Sequence, residues 1–262
     1  MTYVTVENLT VSFGMDPILT DINCSLKKGK IHTVIGPNGS GKSTFIKAIT
    51  KALQPKSGVV HIDGKLLSTI RIKDLAKIMA TVVQTPEIPN DLTVRELVAY
   101  GRFPYRRMFK VNKDDQRIVE DAIKQMKLTH LAERKVSQLS GGERQRAWIG
   151  LALAQEPTLL ILDEPTTYLD ICHQYEILEL IQSLNKEKDL TVLMVLHDLN
   201  HASLYSDYIL AIENHKLAAF GTPEELFTPT FIKRLFNVEC NCIPSENGRP
   251  FLLIKGLNKG AE

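Results

Sequence analysis

The 262-residue chain is 44% apolar, and its 32 Lys and Arg against 30 Asp and Glu leave a formal charge of +2. That composition supports a large packed core, excludes a disordered polyelectrolyte, and supplies no global field that would draw the chain to nucleic acid or an anionic membrane. Four cysteines, Cys24, Cys172, Cys240 and Cys242, match neither a zinc spacing nor a dense secreted framework, and read as free thiols of a reducing compartment.

Residues 1–30 alternate, as in Tyr3-Val4-Thr5-Val6 and Ile22-Asn23-Cys24-Ser25-Leu26, with turn signals at Gly14 and Gly29. They predict short, partly antiparallel strands. Glu7 and the lack of a basic stretch followed by an apolar one predict no signal peptide, so the chain is expected in the cytosol. Apolar runs at 31–35, 80–83, 159–162 and 192–196, separated by helical stretches, predict strands of a mainly parallel sheet. None approaches the roughly 18 apolar residues of a membrane span.

Helices are expected at 44–53, 94–101, 113–127 and 141–154. The interval of approximately 92–154 reads as a helical subdomain inserted in the catalytic core of one domain spanning 1–262. Cys240 and Cys242 alternate on a predicted strand, share a face, and read as packing rather than a metal site.

The apolar runs lead into distinctive residues: Gly36, then Gln84, then Asp163 and Glu164, then His197. Open parallel sheets bind ligands at the carboxyl ends of their strands, so these residues converge on one edge. Gly36-Pro37-Asn38-Gly39-Ser40-Gly41-Lys42-Ser43 fits G-x-x-x-x-G-K-S/T between a strand and a helix that begins through Thr44, which is a P-loop. Glycines let backbone N–H groups wrap an anion, Lys42 reaches the β/γ-phosphates, and Ser43 suits Mg²⁺.

An acidic pair after a strand is by itself a helix cap or a solvated turn. Beside a P-loop, Asp163 suits the Mg²⁺ shell and Glu164 suits a general base on water. Leu139-Ser140-Gly141-Gly142-Glu143 is a capping box, Ser140 with Glu143, opening a helix that carries Trp148, read as core packing. A plain cap has no need of two glycines in its first turn, where each costs up to about 1 kcal/mol. Bare backbone there would let a phosphate approach the N–H groups.

The P-loop, the Leu139–Glu143 segment, Leu159-Leu160-Ile161-Leu162-Asp163-Glu164-Pro165 and His197, in this order, resemble an ABC ATPase over nearly the whole chain. The resemblance implies an α/β P-loop NTPase fold of ABC type, with an antiparallel β subdomain and an inserted helical subdomain. It implies ATP and Mg²⁺ as cofactors, the metal held by Ser43, Gln84 and Asp163. Ser140, Gly141 and Gly142 would contact the γ-phosphate bound by the opposite subunit of a head-to-tail ATP-sandwich dimer. Gln84 matches the Q-loop, His197 the switch histidine that helps orient Glu164, and Asp170 the D-loop aspartate at the dimer seam. Phe13 stands where the family often has a tyrosine stacking on adenine, and a phenyl face also stacks.

Gly101-Arg102-Phe103-Pro104-Tyr105-Arg106-Arg107 and Leu169-Asp170-Ile171-Cys172-His173-Gln174 resemble the ATPases of ferric siderophore, haem and cobalamin importers. The implied partners are a second copy and integral membrane permease subunits on the cytoplasmic side of the membrane, a substrate-binding protein only indirectly, and no nucleic acid. A ferric siderophore is the expected cargo; haem, cobalamin or another substrate, or a soluble non-transport ABC ATPase, are the alternatives. The first segment, with Lys110 and Lys113, also reads as a basic patch, which suits a solvated face, a partner-docking surface or contact with lipid headgroups. A chromosome-type ATPase would place long heptads between P-loop and signature, whereas Lys42 and Ser140 are 98 positions apart without a coiled coil.

Overall fold

A computed structural model of the chain describes residues 1–14, 16–84, 92–105, 113–245 and 248–258. The first half of the element order is β1 (Thr2–Phe13), β2 (Asp16–Lys27), β3 (Ile31–Ile35), α1 (Lys42–Ile49), β4 (Ser57–Ile62), β5 (Lys65–Leu66), α2 (Ile72–Leu75), β6 (Met79–Val82), α3 (Val94–Ala99), α4 (Lys113–Gln125) and α5 (Gly141–Ala154). There follow β7 (Leu159–Asp163), α6 (Ile171–Lys188), β8 (Thr191–Val195), α7 (Leu199–Tyr205), β9 (Tyr208–Glu213), β10 (Lys216–Gly221), α8 (Pro223–Leu226), α9 (Pro229–Phe236), β11 (Val238–Pro244) and β12 (Pro250–Leu257). The chain divides into two units, Met1–Thr69 with Thr191–Glu262, and Ile70–Leu190.

In the first unit, β3 lies parallel to both its neighbours, with Val34 opposite Val195 of β8 and Leu210 of β9. Shared direction puts the carboxyl ends on one edge, where the chain departs at Gly36 after β3 and at His197 after β8. Every residue of β3 and β8 is buried; β8 is apolar after Thr191, and β3 buries His32 and Thr33 between apolar ends. A second sheet has the order β2-β1-β4-β5 and is antiparallel throughout.

β1 and β2 are 12 residues each, longer than the short strands that alternation predicts. Bulges explain the difference: register shifts accompany Asn8 and Asp21 at φ 49° and 52°, interrupting the alternation without ending the pairing. α1 stops at Ile49 rather than running to Leu53, because Thr50 Oγ1 donates back to Ile46 O at 2.9 Å and Lys51 turns left-handed at φ 64°. On β11, Cys240 and Cys242 share a face two residues apart, and Cys240 is buried. Burial pushes the Cys24 thiol up to about 12, and burial with the neighbouring Cys240 pushes Cys242 up to about 11.

In the second unit, β6 and β7 are parallel, with Met79 opposite Leu159 and Val82 opposite Leu162. Gln84 and the Asp163-Glu164 pair therefore leave the same edge. α3, α4 and α5 pack through the fully buried Leu97, Val98, Ile123, Met126 and Ile149. α4 ends at Gln125, two residues short of expectation, where Lys127 at φ 56° turns the chain. Trp148 is half-buried in α5.

The basic-patch reading is corrected at Arg102. It is 5% exposed, in the 3₁₀ turn Tyr100–Tyr105. Its guanidinium donates to Asp115 Oδ1 and Glu156 Oε2 at 2.8 Å and to Ala154 O at 2.7 Å, 4.0 Å from the Tyr105 ring centroid. A cation so engaged ties the turn to α4 and the end of α5 instead of charging a surface. Lys113 is exposed, and Arg106, Arg107 and Lys110 lie outside the described residues. Among the described residues no helix is long and apolar enough to cross a membrane.

Candidate active site

The loop after β3 has a shape only glycine permits at two points. A Cβ on Gly36, at φ 152°, would lie 2.1 Å from Ile212 O; one on Gly41, at φ 108°, would lie 2.6 Å from Leu19 Cδ2 and 2.8 Å from Ile18 O. α1 begins directly after Gly41 with no side-chain cap and no acidic residue in its first turn. Its N–H groups and positive dipole end thus face the loop without a competing carboxylate.

Lys42, 6% exposed, donates from Nζ to Gly36 O and Pro37 O at 2.9 Å each, which holds the ammonium within the loop. Ser40 is buried, and its Oγ has no hydrogen-bond partner among the described residues. Asn38, Gly39 and Ser43 are exposed and Thr44 is half-buried. A buried ammonium, an orphaned hydroxyl and an uncapped helix start fit an anion with many oxygens, such as a polyphosphate.

The same unit holds Phe13 and His197. Phe13 ends β1 with 56% of its surface exposed, leaving a ring face available for stacking. His197 is exposed after β8, immediately before Asp198, whose Oδ1 accepts from His201 N at 2.8 Å and caps α7.

Gln84, Asp163, Glu164, Ser140, Gly141, Gly142 and Asp170 belong to the second unit. Glu164 sits just beyond β7 at φ 55°, and its Oε2 accepts from Gln84 Nε2 at 2.5 Å and from Thr167 Oγ1 at 3.0 Å. Two donors on one oxygen set the orientation of the carboxylate. Asp163, the preceding residue, is half-buried. Thr167 was not singled out by sequence; the available signal is a threonine three residues after an acidic turn residue.

The capping box forms as expected, Ser140 N–H donating to Glu143 Oε2 at 2.8 Å and Glu143 N–H to Ser140 Oγ at 3.3 Å. At Gly142 a Cβ would lie 2.3 Å from His173 Cδ2. Packing within the subunit excludes a side chain there, whatever approaches the backbone N–H groups. Asp170 caps α6, accepting from His173 N–H at 3.0 Å. That N–H, and then the His173 side chain, hold the Asp170 carboxyl below the usual carboxylate range.

A glycine-shaped loop of sequence G-x-x-x-x-G-K-S on a helix start after a buried parallel strand is the P-loop of a nucleotide-binding protein. Residues 19–167 match the ABC transporter family, and the chain belongs to that family. It is 46% identical over 261 residues to the iron(3+)-hydroxamate import ATP-binding protein of Bacillus subtilis, covering 99% of this chain and 97% of the relative. Against the ferric enterobactin transport ATP-binding protein of Escherichia coli it is 40% identical, covering 90% and 88% of the two chains. A solved chain of an ABC transporter described as metal-chelate type, in an inward-facing conformation, superposes with TM-score 0.85 at 27% identity, covering 99% of each chain. The protein is an ATP-binding and ATP-hydrolysing cassette with the ABC-type α/β fold. Cassettes of this family form dimers and work with membrane permease subunits in importers.

Proposed function

We propose that this chain energises the import of a ferric siderophore by hydrolysing ATP as a head-to-tail dimer. In this reading it is one ABC domain with an inserted helical subdomain at approximately 92–154. It is held peripherally on the cytoplasmic side of the membrane by integral permease subunits. It meets the substrate-binding protein only through them and binds no nucleic acid. The observation that carries the reading is the near end-to-end 46% identity to an iron(3+)-hydroxamate import ATP-binding protein.

The adenine stacks on Phe13, while the N–H groups of the loop from Gly36 to Ser43 and of Thr44 wrap the phosphates and Lys42 reaches the β/γ oxygens. Ser43, Asp163 and Gln84 would supply the oxygen ligands a hard cation prefers, and Mg²⁺ held by them would supply positive charge against the phosphates. Glu164 polarises the attacking water as general base, and His197 contacts the γ-phosphate and helps orient Glu164. The opposite copy contributes Ser140, Gly141 and Gly142 to the γ-phosphate, with Asp170 at the seam. A γ-phosphate contacted by both copies favours the closed dimer, and its hydrolysis removes that difference and lets the dimer open.

The test is uptake of radiolabelled ferric siderophores, haem and cobalamin in source cells lacking this chain, complemented with wild type or Glu164→Gln. Loss of one ferric siderophore's uptake, restored only by wild type, is expected. Unchanged ferric siderophore uptake in cells shown to hold no redundant ATPase overturns the cargo assignment. An active monomeric enzyme overturns the dimer mechanism.

A further inference from the structure

The first turn of α5 and the first turn of α6 are joined through one imidazole. A Cβ on Gly142 would lie 2.3 Å from His173 Cδ2, 2.8 Å from Cγ and 3.2 Å from Cβ, so the ring and its root fill the space a side chain would need. One residue earlier, a Cβ on Gly141 would meet Leu169 Cδ2 at 3.3 Å.

His173 is itself fastened. Its Nδ1 lies 2.8 Å from both Asp170 carboxylate oxygens, and the Asp170 cap on its backbone N–H anchors the other end of the same residue. Gln174 Nε2 donates to Leu169 O at 2.9 Å, which holds the segment before the cap as well. The imidazole stands so close to Gly142 that the start of α5 cannot shift toward it without moving the ring.

We propose that His173 is a positioning residue that locks residues 140–142 to residues 169–170, so that the two segments move as one body when a second copy closes over the nucleotide. The proposal rests on the reading that both segments act across the dimer seam. Contacts that a γ-phosphate makes with the α5 start are then felt at Asp170, and a shift at Asp170 re-aims the α5 N–H groups. Two surfaces that would otherwise find their places separately are set by one event, which lowers the ordering needed for closure.

The experiment measures ATP-driven dimerisation by analytical ultracentrifugation in a Glu164→Gln parent, with ATP affinity of the monomer and thermal melting as companion readouts. His173→Ala is expected to raise the half-maximal ATP concentration for dimerisation about ten-fold, with monomer affinity and melting temperature held near the parent's. Gly142→Ala is expected to block dimerisation by displacing the ring, and adding His173→Ala to that chain is expected to restore most of it, toward the level of His173→Ala alone, because only the 3.2 Å contact with the residue 173 Cβ remains. That suppression is a readout that general destabilisation would not produce. A double variant as impaired as Gly142→Ala, or a His173→Ala chain that dimerises like the parent, overturns the proposal alone. A parent that stays monomeric with ATP overturns the dimer reading and the proposal with it.

Discussion

The Gln84 side-chain amide donates to Glu164 Oε2 across 2.5 Å, and Thr167 Oγ1 donates to the same oxygen from 3.0 Å. Eighty positions of chain separate the first pair, and parallel pairing of β6 with β7 brings them together. The carboxylate is thereby aimed from two sides before any substrate arrives. Thr167→Val removes one donor while keeping the side-chain volume. Steady-state ATPase assays are expected to show kcat falling about ten-fold, with KM for ATP changed by less than about two-fold. A rise in KM at unchanged kcat would instead place Thr167 in nucleotide binding.

Gly41→Ala tests the shape of the phosphate loop. The new Cβ meets Leu19 Cδ2 at 2.6 Å and Ile18 O at 2.8 Å, at a φ of 108° that alanine rarely adopts. Backbone strain of about 1–3 kcal/mol is expected, together with a displaced loop. Binding of a fluorescent ATP analogue should weaken by at least about 100-fold, as for Lys42→Ala. Wild-type affinity in Gly41→Ala would contradict the close approach of β2 to this loop.

Acid sensitivity is expected from His32, fully buried on β3 with Nε2 accepting from Lys27 N–H at 2.9 Å. Burial, outweighing the nearby Asp207 carboxylate, pulls its pKa down from 6.5 to about 4. Between those values the unfolded chain binds the proton and the folded chain does not, so stability rises with pH across that window and falls on acidification through it. The span corresponds to about 3 kcal/mol lost between pH 7 and pH 4. Urea melts at pH 7, 6 and 5 should show the loss in wild type and a reduced slope in His32→Gln. Parallel slopes would exclude His32 as the source.

Arg102→Met should destabilise far more than removal of a surface arginine. The Asp115 side chain is 14% exposed, and without its guanidinium partner it is left as a buried charge, which costs about 3–5 kcal/mol. Arg71, paired with Asp74 at 84% side-chain exposure, is the control and should show no measurable change on replacement by alanine. Equal melting temperatures for the two variants would contradict the buried network.

What the sequence by itself determined is what lies within a few bonds or one structural period. The loop from Gly36 to Ser43, the Ser140–Glu143 capping box and the buried runs of β3, β7 and β8 are contiguous in the chain. Their backbone demands are expressed by the residues themselves, through glycine's freedom, reciprocal caps and largely apolar stretches. Tertiary structure alone decided which distant groups meet. Periodicity shows that a face is buried but not what it is buried against. That limit hid the donation from Thr167 to Glu164, turned Arg102 from a surface charge into an internal tie, and gave Gly142 a reason in His173 that lies 31 positions away.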